Sequence, residues 1–235
     1  MMEKQYNSVA ANAAAIRERI ARAAARAGRS PDEVKLMAVT KTQPPKLVNE
    51  AIKAGINLLG ENRAQELLAK YDDYMLENVS IHFIGSLQRN KIKQIVDKVD
   101  LIQSVDSVKL AEEINKRASQ AGKIMDVLIE VNIGGEENKS GTHPGEVSGL
   151  AREIAGYPAL RLRGIMTIPP FGCTQSETEH FFYRTRQLFI DIGGQKVDNG
   201  SIDILSMGMS DDFELAILHG STLCRIGSAL FGART

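Results

Sequence analysis

The chain has 235 residues, 43% hydrophobic and 25% charged, and its 29 basic and 29 acidic side chains leave no formal net charge. That composition is globular, and it offers no general electrostatic attraction to nucleic acid or anionic lipid. No run of roughly eighteen apolar residues predicts a membrane span, the N-terminus lacks the layout of a secretion signal, and two cysteines, Cys173 and Cys224, make no disulfide framework; the expectation is a cytoplasmic monomer.

The chain opens on a helical pattern. Val9, Ala13, Ile16, Ile20, Ala23 and Ala27 recur at spacings of four and three, with Gly28 as the stop. Ser30-Pro31-Asp32-Glu33 has the form of a capping box. Short apolar runs then alternate with helical stretches. The first strand is expected at 36–39, with a helix over 45–54. The second lies at 57–59, ending at Gly60, with a helix over 62–74. The third lies at 81–84, with a helix from about Asn90. The fourth lies at 101–103, with Ser107 capping a helix that carries Leu110 and Ile114. The fifth lies at 127–131, with a helix over 144–155, and the sixth at 162–165, followed by a loop through Pro169-Pro170. The next helix carries Phe181, Phe182, Leu188, Phe189 and Ile192 on one stripe. The seventh strand lies at 202–205, with Ser210-Asp211-Asp212 opening its helix, and the eighth at 223–226.

Eight strands alternating with helices predict a closed (β/α)8 TIM barrel, preceded by an extra N-terminal helix; an open doubly wound sheet is the alternative. No Pro-, Gly- or Ser-rich linker divides residues 1–235, so a single domain is expected, with no second domain after the barrel.

Barrel chemistry sits at the C-terminal ends of the strands. The first strand ends at Lys41. At the barrel mouth partial desolvation disfavours an ammonium and frees a nucleophilic amine, although a lysine taken alone is ordinarily a solvated surface group. Asn62, after Gly60, either caps the next helix or faces a ligand. Strands seven and eight end in Ser206-Met207-Gly208-Met209-Ser210-Asp211 and Arg225-Ile226-Gly227-Ser228. Each offers a hydroxyl beside a glycine at the positions where barrels often hold phosphate. Arg225 lies within an apolar strand, so it is either half of an internal ion pair or a donor aimed at a ligand. His82, His143, His180 and His219 lack metal-ligand spacing, and the Gly134 to Gly141 loop lacks P-loop spacing. His82 and Cys224 read as packing residues.

Together these blocks carry a resemblance. Ala38-Val39-Thr40-Lys41, Gly60-Glu61-Asn62, the run from His82 through Phe83-Ile84-Gly85-Ser86-Leu87-Gln88-Arg89-Asn90 to Lys91, Ser206-Met207-Gly208-Met209-Ser210-Asp211-Asp212 and Arg225-Ile226-Gly227 resemble the YggS/PROSC family of pyridoxal 5′-phosphate (PLP) homeostasis proteins over nearly the whole chain. Ile81 stands where a Trp is frequent in that family. The resemblance implies a PLP fold type III barrel like the N-terminal domain of alanine racemase. It implies that Lys41 holds PLP as a Schiff base. Ser206 and the amides of Gly227 and Ser228 would hold the phosphate, Arg225 would face the pyridine nitrogen, and Asn62 would line the ring pocket. A permanently charged arginine disfavours a protonated pyridine ring, which suits holding the cofactor better than carbanion chemistry. The implied function is PLP homeostasis without robust catalysis, with release to apo-enzymes as an extension. The alternatives are a small PLP-dependent amino-acid racemase, and a barrel using Lys41 directly on a carbonyl substrate.

Overall fold

A computed structural model describes residues 8–136, 138–195 and 201–232; Glu137 of the 134–141 loop lies outside the described residues. Eight parallel strands close in sequence order into one barrel: β1 (Lys35–Val39), β2 (Leu58–Glu61), β3 (Ser80–Phe83), β4 (Leu101–Val105), β5 (Met125–Val131), β6 (Leu160–Thr167), β7 (Ile204–Ser206) and β8 (Leu223–Ile226). Closure is made by β8 pairing with β1, with Met37 opposite Arg225 and Ala38 opposite Ile226. Around it run α2 (Pro45–Lys53), α3 (Ala64–Lys70), α4 (Ile92–Ile95), α5 (Val108–Gln120), α6 (Val147–Ala155), α7 (Gln175–Gly194), α8 (Phe213–Leu218) and α9 (Ser228–Phe231), after an N-terminal α1 (Val9–Arg26).

The two-residue period of the strands divides the core in two. Met37, Val39, Leu58, Ile84, Leu101, Leu128, Met166, Ile204 and Leu223 form the cluster inside the barrel. Their neighbours Ala38, Leu59, Phe83, Ile102, Ile129, Leu205 and Cys224 face outward into the larger cluster beneath the helices. Helix α1 is capped by the Ser8 hydroxyl and buries Val9, Ala13, Ile16, Ile20, Ala23 and Ala24; burying Ile16 and Ile20 contributes roughly 2 kcal/mol each. It packs on α2, α8 and α9. Arg19 pairs with Glu214 at 2.8 Å and lies over the Phe213 ring at 4.5 Å, while Asn12 donates to the Leu230 carbonyl at 2.9 Å. The extra helix thus braces the two helices that follow β7 and β8.

Several boundaries differ from the sequence expectation. The helix expected from Asn62 begins at Ala64, with Arg63 extended at its cap position. Ser107 sits at the start of α5 but turns its hydroxyl to Asp106 at 3.0 Å instead of capping. The segment from Asn90 forms one 3-10 turn, Arg89–Lys91, and one α-turn. Strand β7 begins at Ile204, two residues later than expected, since Asp203 is drawn off to Arg163. On α7, Phe182 and Ile192 are buried, while Phe181, Leu188 and Phe189 pack against the core with part of their surface exposed.

Candidate functional site

Lys41 follows Met37 and Val39 in the inward register of β1, so strand parity carries it to the barrel mouth. There it lines a cleft of about 210 Å³ with Val39, Asn62, Ile84, Ile168, Ser210, Arg225, Gly227 and Ser228. Thr42, immediately after it, has φ 64°, a left-handed conformation that is strained for a β-branched residue. The Glu66 carboxylate accepts from the Thr42 amide and from Lys70, which also reaches the Thr40 carbonyl at 3.4 Å. These contacts hold the sharp turn that ends at Lys41.

A second polar cluster lies behind the same strand ends, outside the barrel. Glu61 is fully buried. Its Oε1 accepts from the Thr40 and Tyr74 hydroxyls, each at 2.7 Å, and its Oε2 is buried without a partner. Burial pushes both the Glu61 carboxyl and the Tyr74 phenol above their usual ranges. This cluster ties β1 to β2 directly behind Lys41 and Asn62.

Asn62 does not cap a helix; α3 starts beyond it at Ala64, with Arg63 at the cap position. Its Oδ1 is buried and unpartnered, and the residue faces the cleft. Gly85 at the end of β3 lies so close that an added Cβ would come 2.1 Å from the Asn62 carbonyl oxygen. Only glycine allows this approach of two backbones.

Arg225 reaches the cleft from β8, 3% exposed. Among the described residues its two hydrogen-bond acceptors are both neutral: the Ser206 hydroxyl at 2.7 Å and the Thr167 carbonyl at 2.8 Å. Burial lowers its pKa to about 10, so it remains charged at neutral pH. The choice left open by the sequence, ion pair or ligand donor, therefore falls away from the ion pair.

The resemblance assigns Ser206 to the phosphate. That residue is fully buried in β7 and does not line the cleft. It sits under Arg225 and donates to Gln103 Oε1 at 2.7 Å. The hydroxyl at the cleft is that of Ser210, which accepts from the Ala229 amide at 3.1 Å and so joins the β7–α8 loop to the start of α9 beside Gly227 and Ser228. Gly208 makes that loop possible: its φ is 92°, and a Cβ there would come 2.8 Å from Phe213 Cα. The distinguishing signal was available in the pattern, because Ser206 continues the inward register of Ile204 whereas Ser210 lies past the strand.

Two interior groups escaped sequence reasoning. Gln103 continues the inward register of Leu101, and its Nε2 lies 3.0 Å from His82 Nδ1. Glu130 continues that of Leu128; burial, with a contribution from Asp106, raises its pKa to about 7, against the opposing pull of Arg225. A polar residue two places beyond an inward apolar one was the signal in each case. Cys224 packs outward, fully buried, with its thiol pushed up to about 12 by burial.

The architecture and site define a barrel that presents one amine and one buried guanidinium to a small cleft. The chain belongs to the family described as alanine racemase, N-terminal domain, whose model matches residues 11–235. Among its relatives, the pyridoxal phosphate homeostasis protein of Aquifex aeolicus (strain VF5) is 43% identical over 217 residues, 92% of this chain and 94% of that protein. The protein of the same name from Escherichia coli (strain K12) is 41% identical over 231 residues, 97% of each. Among solved structures, PipY of Synechococcus elongatus PCC7942 with PLP bound superimposes with a TM-score of 0.83 at 32% identity, covering 95% of this chain and 100% of that one.

Proposed function

We propose that this chain binds pyridoxal 5′-phosphate on Lys41 and serves intracellular PLP homeostasis, holding the cofactor rather than driving turnover. The observation that carries the reading is Arg225, a buried charge facing the cleft with only neutral partners. A fold retains a buried charge that has no ion-pair partner where a ligand completes its environment. The donor set fits the cofactor: an amine, an orphaned amide oxygen on Asn62, and the hydroxyls of Ser210 and Ser228 beside Gly227. When bound, PLP supplies a reactive aldehyde that condenses with an amine and a ring that withdraws electrons.

Lys41 offers that amine from a turn fixed by Glu66. Gly227, Ser228 and Ser210 hold the phosphate, with Ser210 taking the place that the resemblance assigns to Ser206. Asn62 orients the ring. Arg225 would stand toward the pyridine nitrogen and, being charged already, would oppose its protonation. That weakens the electron sink, which suits holding the cofactor. In this reading residues 1–235 act as one domain, a cytoplasmic monomer that passes cofactor to apo-enzymes.

The test is the visible spectrum of purified protein before and after borohydride, for wild type and Lys41→Ala. The expected result is a yellow band that borohydride abolishes, with pyridoxyl mass on the Lys41 peptide, absent from the variant. A colourless protein that takes up no added PLP overturns the proposal. Exchange of the α-proton of an amino acid in deuterated water, lost in Lys41→Ala, would establish the racemase instead.

A further inference from the structure

The interior of the barrel carries a file of polar side chains below the cleft. Arg225 Nη1, Ser206 Oγ, Gln103 and His82 Nδ1 are linked by successive contacts of 2.7, 2.7 and 3.0 Å. All four residues are buried, Gln103 and Ser206 completely. The protons in this file have one fully satisfied arrangement. A guanidinium only donates, so the Ser206 oxygen accepts from Arg225 and its own hydrogen goes to Gln103 Oε1. The amide NH2 then faces His82 Nδ1, which must accept, leaving the imidazole neutral with its proton on Nε2. Reversing the amide would strand the Ser206 hydrogen without an acceptor.

We propose that Gln103 and His82 are positioning residues that hold Arg225 against the cleft through Ser206, in a file built from neutral groups that adds no counter-charge of its own. The Thr167 carbonyl fixes the other guanidinium nitrogen at 2.8 Å. The file itself contains no carboxylate; Asp212 and Glu130 act on the guanidinium through space, outside the file. Burial, the largest cause, holds the His82 imidazole far below its usual range, at about 3, consistent with its role as an acceptor. This inference rests on the proposed place of Arg225 opposite the ring nitrogen, but the file itself is testable without cofactor.

The first measurement is 15N NMR of histidine-labelled protein free of cofactor. The His82 Nδ1 signal is expected at the position of an unprotonated acceptor, constant from pH 5 to 8. A proton on Nδ1 would overturn the file whatever the protein binds. The second uses Gln103→Leu and Gln103→His with PLP labelled at the ring nitrogen. Leucine fills the space but removes both hydrogen bonds; an imidazole restores one acceptor and one donor. Gln103→Leu is expected to keep covalent attachment at Lys41, to retain PLP about tenfold less tightly, and to move the ring 15N resonance; Gln103→His is expected to restore both. Equal affinity and an unmoved resonance in Gln103→Leu would sink the proposal, as would loss in Gln103→His equal to that in Gln103→Leu. Should wild type bind no PLP, the functional reading fails, while the His82 tautomer still decides whether the file exists.

Discussion

Two arginines at opposite ends of the barrel interior are solvated in opposite ways. Arg163, toward the N-terminal end, is held by Asp203 through two bonds at 2.8 and 2.6 Å and by Asp126, which also pairs with Arg161 at 2.6 Å. The Asp203 hydrogen bonds, reinforced by Asp126, raise its pKa. Arg225, toward the cleft, is more deeply buried, has a hydroxyl and a carbonyl for partners, and its pKa falls. The first arginine is compensated by the protein and serves the fold. The second has no ion-pair partner among the described residues, only the through-space pull of Asp212 and Glu130, and desolvating such a charge costs several kcal/mol in the free protein. The contrast marks which end of the barrel holds a ligand more clearly than the size of the hollows does. A larger one of about 630 Å³ lies beside the cleft, yet among its lining residues Arg26 and Asp211 are exposed and Glu214 is paired with Arg19.

The largest expected effect separates the two. Arg225→Met should reduce PLP retention by a hundredfold or more, of order 3 kcal/mol, while thermal unfolding of the cofactor-free protein stays within about 1 kcal/mol of wild type or improves. A strongly destabilised cofactor-free variant would mean that Arg225 serves the fold after all. Arg163→Met should do the reverse. It leaves the nearly buried Asp126 with only half-exposed Arg161, lowering stability by about 2 kcal/mol in denaturant titration once solvent screening is allowed for, with PLP retention unchanged.

The Glu130 carboxyl sharpens the same comparison through pH. Its pKa in the folded protein is about 7, raised from 4.5. The native state therefore binds this proton more tightly than the unfolded chain does. Its contribution is fully present below pH 4.5 and is lost as pH rises toward 7. Glu130→Gln should remove a fall in stability on the order of 2 kcal/mol across that window, and a carboxyl resonance titrating near neutral pH in wild type should vanish. A carboxyl that titrates near 4.5 would show that Arg225 offsets Glu130 far more than its burial allows. The smallest effect is expected at Thr42. Thr42→Gly should stabilise the protein by about 0.5 kcal/mol, since relief of the left-handed strain slightly exceeds the added chain entropy; an unchanged or lower melting temperature would contradict it.

Much of this molecule was legible in its sequence. The capping box at Ser30, the stop at Gly28 and the eighth strand at Leu223–Ile226 follow from local chemistry, and the structure places them as expected. Lys41, Asn62, Arg225, Gly227 and Ser228 were named from strand ends and motif, and the fold gathers all five around one cleft. Ser206, named with them, lies inside the barrel away from the cleft lining; the motif holds two serines four residues apart, and only strand register tells the interior hydroxyl from the one in the loop. Gln103 was passed over because the expected fourth strand ended on it; as built, the strand runs to Val105.

Sequence alone determined the alternation of strand and helix, because hydrophobic period, glycine stops and caps act within a few residues of each other. It also determined which residues could do chemistry, because an amine and a guanidinium at strand ends are properties of the chain. Tertiary structure decided which hydroxyl faces the cleft, which arginine is compensated, and how Gln103 and His82 stand behind Arg225. Those outcomes depend on closing β8 against β1 and bringing residues 103 and 206 into hydrogen-bond contact. Desolvation is set by everything packed around a group, and no local pattern in the chain encodes it.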